Sequence, residues 1–116
     1  MARLLLDEQL PGLLTAELTG HEARTVRQEG WIGLRNGTLL RTAAASFDVF
    51  ITMDKSIPFQ QVVADIDIAV LLVRARSNTL RALAELIPDI LNAIPACVPG
   101  TVVTVGDPEN WRARRR

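Results

Sequence analysis

Ile-Asp-Ile-Ala-Val-Leu-Leu-Val, residues 66–73, is the stretch that decides the fold of this chain. It is apolar at every position except Asp67. A strand with one wet face alternates polar and apolar residues, so this nearly continuous apolar run predicts a strand that is covered on both faces. Strands of that kind are typical of parallel sheets that have helices on either side. The run is too short to span a bilayer.

Strand and helix patterns alternate on both sides of this segment. Short runs rich in branched and aromatic residues, or with weak alternation, predict four further strands at Arg3–Leu6, Glu22–Arg27, Asp48–Met53 and Thr101–Val105. Helical spacing predicts helices at Pro11–Leu18, from Asn36 or Gly37 to Ala45, within Ser56–Ala64, and at Asn78–Ala93 with a bend at Pro88. The segment Gln28–Arg35 is predicted to be a loop.

This alternating order predicts an α/β fold with a mainly parallel, doubly wound sheet and right-handed crossovers. The connections are short, which favours the strand order 2-1-3-4-5. The crevice where ligands bind in such sheets would then lie between strands one and three.

Length and composition set the remaining limits. The 116 residues predict one domain over residues 1–106, followed by a basic tail at 107–116. Lysine and arginine together number 13, as do aspartate and glutamate, so no overall field favours a polyanion. Cys97 is the single cysteine, which excludes an intramolecular disulfide. With no signal-peptide pattern at the start, we expect a cytoplasmic protein without a membrane segment.

Two of the predicted strands end in a carboxylate: Asp7 follows the first strand and Asp54 follows the third. Because parallel strands end at the same edge of a sheet, these side chains are expected to lie close together and to hold Mg²⁺ or Mn²⁺. Glu8 and Asn36 are candidate assisting groups. The alternative is that Asp7 and Asp54 cap turns or helix N-termini, that Glu8 begins the first helix, and that Asn36 is a helix N-cap.

A second group of polar residues follows the fourth strand at the same edge. Its members Arg74, Arg76, Ser77 and Asn78, together with Lys55, are candidate ligands for a phosphate or another anion. The alternative is a solvated strand exit in which Ser77 or Asn78 caps the next helix.

The residues required for nucleophilic hydrolysis are not expected to meet. His21 is the single histidine and precedes the second strand, so it lies at the opposite edge from the two acids. Cys97 is expected to be a packed small apolar residue. Trp31 is expected to anchor a loop over the sheet, with base stacking as the alternative.

Several stretches together resemble one family, the PIN-like domains of DUF5615, which are related to the Mut7-C and VapC-type PIN nucleases. The first half of the chain contributes the Leu-Asp7-Glu8 strand end, Gly20-His21-Glu22, and the run from Gly30-Trp31 through Asn36-Gly37 to Leu40. The second half contributes the run from Phe47 through Thr52 and Asp54 to Lys55, then Gln60-Gln61, and Arg74 with Arg76-Ser77-Asn78.

The resemblance implies a compact three-layer PIN-like sandwich and Mg²⁺- or Mn²⁺-dependent cleavage of RNA, often by the toxin of a toxin–antitoxin pair. Asp7 and Asp54 match the acids at the family's strand ends, and Asn36 lies in its Asn-Gly helix start. Two positions depart from the family pattern: Thr38 stands where a glutamate is common, and Val62 where an asparagine is usual.

The sequence thus predicts a metal-dependent ribonuclease in which Asp7 and Asp54 bind the ion and Glu8 and Asn36 assist. The expected substrate-binding residues are Lys55, Arg74, Arg76, Ser77 and Asn78. RNA is the expected substrate, and an antitoxin protein or a second copy of the chain is the expected protein partner. The alternative, favoured by Thr38, is a catalytically weak or inactive module that binds RNA or an antitoxin-type protein.

Overall fold

Five parallel strands form the central sheet of the computed structural model, which describes residues 1–57 and 61–106 except for the side chains of Asn36, Gln61 and Val62. The strands are β1 (Arg3–Leu6), β2 (Glu22–Thr25), β3 (Val49–Thr52), β4 (Ala69–Val73) and β5 (Val102–Val105). Their order across the sheet is β2-β1-β3-β4-β5, and every neighbouring pair is parallel. The predicted α/β class and strand order are confirmed, and β5 is parallel to β4.

Helices cover both faces of this sheet. The α-helices are α1 (Leu14–Glu17), α2 (Val26–Glu29), α3 (Asn36–Ala44), α4 (Leu80–Ala84) and α5 (Ile87–Ala93), and short 3-10 helices span Gln61–Asp65 and Ile94–Ala96. Strand side chains alternate between the two faces, so Leu4 and Leu6 pack with α1, α4 and α5, whereas Leu5 packs with α2 and α3. The architecture is therefore a three-layer sandwich.

The sheet is apolar because both of its faces are buried. All five residues of β4 and all four of β3 are buried. This explains the nearly unbroken apolar run from which the sequence analysis began. The run is longer than the strand, since Ile66 and Ile68 are buried in the preceding turn while Asp67 is exposed.

The second strand is shorter than predicted. The interpretation of residues 22–27 as one strand is wrong at its end, because Val26 begins α2. Thr25 and Gln28 form a reciprocal capping box: the Thr25 hydroxyl accepts from the Gln28 N–H at 3.0 Å, and the Gln28 side chain accepts from the Thr25 N–H at 2.9 Å. Gly30, with φ of 77°, then ends the helix. The predicted loop therefore starts later than residue 28.

The long helix predicted for residues 78–93 is two helices. α4 ends at Ala84 and α5 starts at Ile87, with Pro88 in the first turn of α5. A proline has no N–H to donate, and its ring would collide with the carbonyl four residues earlier, which belongs to Ala84. A helix cannot run through this point, so the predicted bend is a break.

Two other helical predictions need smaller corrections. The segment 11–18 contains only one α-helical turn, α1, and the residues before it form tight turns in which Leu14 N donates to the Pro11 carbonyl at 3.0 Å. Within the predicted helix at 56–64, the described part is a 3-10 helix that begins at Gln61. Residues 58–60 and the predicted basic tail at 107–116 lie outside the described residues.

The residue after β5 is a glycine that packs closely against the main chain after β4. Gly106 has φ of 85°, and a Cβ atom placed on it would lie 2.4 Å from the main-chain oxygen of Arg74. A side chain at this position would force the two strand ends apart. The backbone of Arg74 is therefore held closely between β5 and the residue that follows it, with its N–H bonded to the Val105 carbonyl at 2.8 Å.

A contact between a carboxylate and an arginine joins β1 to the start of β3, at the edge of the sheet where the strands begin. Asp48 accepts a hydrogen bond from the Arg3 main-chain N–H at 2.8 Å and lies 3.5 Å from the Arg3 guanidinium. The main-chain bond is the largest cause that holds the pKa of the Asp48 carboxyl below its ordinary value of 3.8. Asp48 thus ties the start of β3 to β1.

We expect Asp48→Ala to lower the free energy of unfolding by about 0.5–1 kcal/mol at neutral pH, because a charge-assisted bond is lost at a half-exposed site. The folded-state pKa is depressed, so this stabilisation is present above 3.8 and is lost as the pH falls through the folded-state value. Urea unfolding at neutral and at strongly acidic pH measures the difference.

Asp67→Ala is the matched control, since Asp67 is an exposed acid at the same edge and makes no hydrogen bond or ion pair with the rest of the described chain. Equal losses for the two variants, or a loss at Asp48 that does not change with pH, would show that the contact with Arg3 contributes nothing.

Candidate functional site

Asp7 and Asp54 lie at the same edge of the sheet, as predicted. β1 and β3 are adjacent and parallel, with Leu6 in register with Ile51. The Asp7 N–H continues this ladder by donating to the Ile51 carbonyl at 2.9 Å. Both acids are partly buried, in contrast to the exposed Glu8 and Lys55 beside them.

The hydroxyl of Thr52 connects the two acids. It donates to Asp7 Oδ2 at 2.6 Å and accepts from the Asp54 main-chain N–H at 3.0 Å. Thr52 is the last residue of β3 and is fully buried, so its rotamer is set by the packed sheet. A buried hydroxyl with a donor and an acceptor satisfied in this way holds both neighbours in place.

Each carboxylate also accepts from the turn that follows it. Asp7 Oδ1 accepts from the Glu8 N–H at 2.8 Å, and Asp54 Oδ1 accepts from both the N–H and the hydroxyl of Ser56, at 2.9 and 2.7 Å. Both acids therefore accept hydrogen bonds that cap the following turns, which is the alternative to metal binding. Asp7 does not cap a helix, because α1 begins at Leu14.

The assisting residues have less defined positions. The Glu8 side chain is exposed in the turn after β1 and does not begin a helix, and its carboxylate makes no hydrogen bond or ion pair within the described residues. Asn36 is the first residue of α3 and Arg35 is the N-cap, so the prediction of Asn36 as the cap is wrong. The Asn36 side chain lies outside the described part. Thr38 is exposed in the first turn of α3.

The chemistry of this donor set fits a hard divalent cation that keeps most of its water. Mg²⁺ is commonly bound through one or two carboxylates, and each Asp7 carboxylate oxygen accepts one hydrogen bond, which leaves it a lone pair to offer. Asp7 and Asp54 supply two such groups on a buried support. Among the described residues, no group of three or more His, Cys, Asp or Glu side chains could hold a metal.

Lys55 and Arg74 meet at the adjacent strand ends. They line a small cavity of about 70 Å³ together with Met53, Val73 and Ala75. The Arg74 Nε is buried, and within the described residues it has no hydrogen-bond partner. A buried donor without a partner is costly, so an acceptor that reached this atom would be bound favourably. The cavity brings together two cations from adjacent strand ends, and Lys55 directly follows Asp54 in the sequence.

Arg76 and Ser77 do not join that cavity. They line a separate groove of about 400 Å³, here called the Arg81 groove, with Thr79, Arg81, Ala82 and Glu85. Arg76 and Glu85 form an exposed ion pair across it at 3.4 Å. Four of the five predicted substrate-binding residues are therefore divided between two places.

The remaining member of that set, Asn78, has a structural contact. Its side-chain N–H donates to the Gln9 carbonyl at 2.9 Å, which joins the loop after β4 to the loop after β1. The prediction that Ser77 or Asn78 caps the next helix is wrong. Thr79 is the N-cap of α4, and its hydroxyl accepts from the Ala82 N–H at 3.2 Å.

The expectations for His21, Cys97 and Trp31 agree with their positions. His21 Nδ1 accepts from the Ala2 N–H at 2.9 Å, at the edge opposite the two acids. Burial raises the pKa of the Cys97 thiol, which leaves a poor nucleophile. Trp31 packs on the core edge to face with Phe47, at 6.0 Å between ring centroids.

Sequence reasoning missed Thr52 and Arg81. Thr52 belongs to a stretch that was treated as strand, and its role depends on the register that puts it beside Asp7. That register could have been tested by aligning the ends of the two apolar runs. Arg81 lies in the segment that was predicted as one long helix, and its place in a groove with Arg76 depends on how the loop after β4 leads into α4.

Comparisons with known proteins do not extend this description. No family model matches the chain, and neither a curated protein nor a solved structure matches it. None of the helices in the described ranges is long and apolar enough to cross a membrane.

We expect Thr52→Val to lower the free energy of unfolding by about 1–3 kcal/mol, because it removes one hydrogen bond to a carboxylate and leaves the Asp54 N–H without its acceptor. Thr52→Ser keeps the hydroxyl and should cost about 1 kcal/mol for one buried methyl group. Urea unfolding of the three proteins gives the comparison. Equal stability of Thr52→Val and Thr52→Ser would show that the bridge has no energetic role.

Proposed function

We propose that this protein is a metal-dependent ribonuclease of the PIN-like type. The observation that carries the proposal is the Thr52 hydroxyl, which joins the Asp7 carboxylate to the Asp54 main chain at the ligand-binding edge of a parallel sheet. Two acids held together on a rigid strand end supply the charge and the oxygen ligands that a hard cation needs. The resemblance of the sequence to PIN-like domains supports the same function.

Asp7 and Asp54 would hold Mg²⁺ or Mn²⁺, with Glu8 and Asn36 as assisting groups. When bound, the ion supplies an activated water and stabilises the charge that develops on the scissile phosphate. The protein's own contribution is to hold the acids in place. Since Thr52 is buried and bonded to both residues, little reorganisation is needed when the cation binds.

Lys55 and Arg74 would orient the phosphodiester. Lys55 directly follows Asp54, and the Arg74 Nε is a buried donor that no atom of the described residues satisfies. A non-bridging phosphate oxygen is the acceptor that suits a guanidinium best. Cations at this point would offset the repulsion between RNA and the acids. They also position the strand without reading its bases.

A catalytically weak module that binds RNA or an antitoxin-type protein is the second candidate. Two features favour it: the described residues contain no third acid in a metal-binding group with Asp7 and Asp54, and Thr38 stands where a glutamate is common in the resembling family. With fewer anionic ligands, a site binds divalent cations more weakly. The ribonuclease proposal also includes a role as the toxin of a toxin–antitoxin pair, an antitoxin protein or a second copy of the chain as partner, and a cytoplasmic location.

We expect Mn²⁺ or Mg²⁺ to raise the melting temperature of the wild type, since a ligand that binds only the folded state stabilises it by mass action. Asp7→Asn and Asp54→Asn should each abolish this shift and any cleavage of single-stranded RNA. Relief of repulsion between the two acids should keep both variants folded without metal. Thermal melts across a metal titration, and a cleavage assay on the same samples, provide the data.

Asp67→Asn serves as the control, because it removes an exposed acid at the opposite edge. If the wild type, both site variants and this control respond identically to metal, Asp7 and Asp54 are turn caps and the proposed metal site is wrong. A metal-dependent shift without RNA cleavage favours the catalytically weak module.

We expect Thr38→Glu to tighten Mn²⁺ binding and to raise RNA cleavage above the wild-type level. The substituted carboxylate would lie in the first turn of α3, where the helix dipole favours an acid, and it would add a hard ligand at this edge. Thr38→Gln is the matched control for side-chain size without charge. If the glutamate variant gains in neither measurement, the interpretation of this chain as a weakened nuclease is wrong.

A further inference from the structure

We propose that the Arg81 groove binds the sugar-phosphate backbone of one RNA nucleotide and discriminates RNA from DNA through Glu85. This inference rests on the proposed function, and it assigns a second contact for the RNA strand beyond the Lys55–Arg74 cavity.

The groove is larger than a lone phosphate requires. Its volume of about 400 Å³ falls within the range of about 300–1,000 Å³ that is typical of small-molecule sites. One water molecule accounts for about 30 Å³ of liquid volume, so an inorganic anion would leave most of the groove to solvent. A nucleotide-sized group is a better match.

The donors in the groove suit a phosphate. Arg76 and Arg81 both line it, and the hydroxyls of Ser77 and Thr79 lie 3.0 Å apart at one side. Guanidinium and hydroxyl groups are the usual phosphate ligands of nucleic-acid-binding proteins. Arg81 is exposed and forms no ion pair or hydrogen bond within the described residues, whereas Arg76 is paired with Glu85. Arg81 is therefore the main anion-binding residue of the groove.

Glu85 makes the groove selective. A site for phosphate alone would gain nothing from a carboxylate, yet Glu85 lies in the lining and faces Arg76 at 3.4 Å. This ion pair is long and exposed, and pairs of that kind contribute little stability, so it can exchange for ligand contacts. A carboxylate is a strong acceptor for a hydroxyl, and the hydroxyl that accompanies a phosphate in RNA is the ribose 2′-OH.

The lining does not recognise a base. Its residues are charged, hydroxylic or Ala82, and none is aromatic, so the groove as described has no surface on which a base would stack. Recognition would be limited to the sugar and the phosphate. The proposal thus includes binding that does not depend on sequence.

The groove is connected to the acid pair. Asn78, between Ser77 and Thr79 in sequence, bonds to the Gln9 carbonyl in the turn that follows Asp7 and Glu8. The loop after β4 and the loop after β1 therefore form one continuous rim. An RNA strand with one phosphate at Lys55 and Arg74 could continue along this rim into the Arg81 groove.

The experiment measures binding of a fluorescent single-stranded RNA and of the DNA of identical sequence by the full chain, in EDTA so that no cleavage occurs. Arg81→Gln should weaken the binding of RNA and DNA alike, by roughly threefold to tenfold, and should reduce the slope of log K against log salt by about 0.7, the value for one phosphate contact on a single strand. Arg41→Gln is the matched control. It removes an exposed arginine from α3, which packs on the other face of the sheet.

Glu85→Ala tests the discrimination between the two nucleic acids. Loss of one hydrogen bond to the 2′-OH should reduce the RNA-to-DNA affinity ratio by about fivefold. Removal of an acid should raise the affinity for both, so the ratio is the informative quantity. Glu85→Gln keeps an acceptor oxygen and should retain most of the ratio. A ratio that is the same for wild type, Glu85→Ala and Glu85→Gln overturns the assignment of Glu85.

The outcomes separate this inference from the proposed function. If RNA is bound and cut while Arg81→Gln behaves like Arg41→Gln, the groove does not bind RNA and the ribonuclease proposal stands. If Arg81→Gln weakens RNA binding while metal has no effect on the wild type, the groove is supported and the metal-dependent activity is wrong. If the wild type binds neither nucleic acid, both proposals are overturned.

Discussion

The coverage of the sheet on both faces is the constraint on which the rest of the structure depends. Every residue of β3 and β4 is buried, so these strands have no solvent-facing side on which a charged residue could be placed. Among the described residues, Thr25 and Thr52 are the two buried polar side chains. Polar side chains with a chemical role therefore lie where strands end. A parallel arrangement collects those ends at one edge.

Thr52 shows how a packed core can position a polar site. Its backbone belongs to the fully buried strand β3, while its hydroxyl donates to the Asp7 carboxylate at the edge of the sheet. The bond to Asp7 spans from β3 to β1, and the bond to Asp54 starts the turn that follows β3. Errors in the packing of the sheet would be transmitted directly to both carboxylates. The rigidity of the acid pair is thus a property of the core.

The basic residues at this edge are arranged as two subsites. Lys55 and Arg74 follow β3 and β4 at the same edge of the sheet as the acids, whereas Arg76 and Arg81 line a larger groove that also contains Glu85. Since the whole chain has equal numbers of acidic and basic residues, long-range attraction to RNA would be weak. Affinity would have to come from the local placement of these cations.

The sequence by itself determined the α/β class, the strand order and the edge on which Asp7 and Asp54 lie, because these follow from apolar patterning and from the geometry of parallel connections. The end of β2 was missed although Thr25 and Gln28 have capping-box spacing, since strand and helix propensities compete there. Tertiary structure alone decided which side chains meet across elements. Thr52 reaches Asp7 through strand register, a contact between residues 45 positions apart that local patterns do not encode. Arg81 lines a groove with Arg76 because of the way the loop after β4 leads into α4.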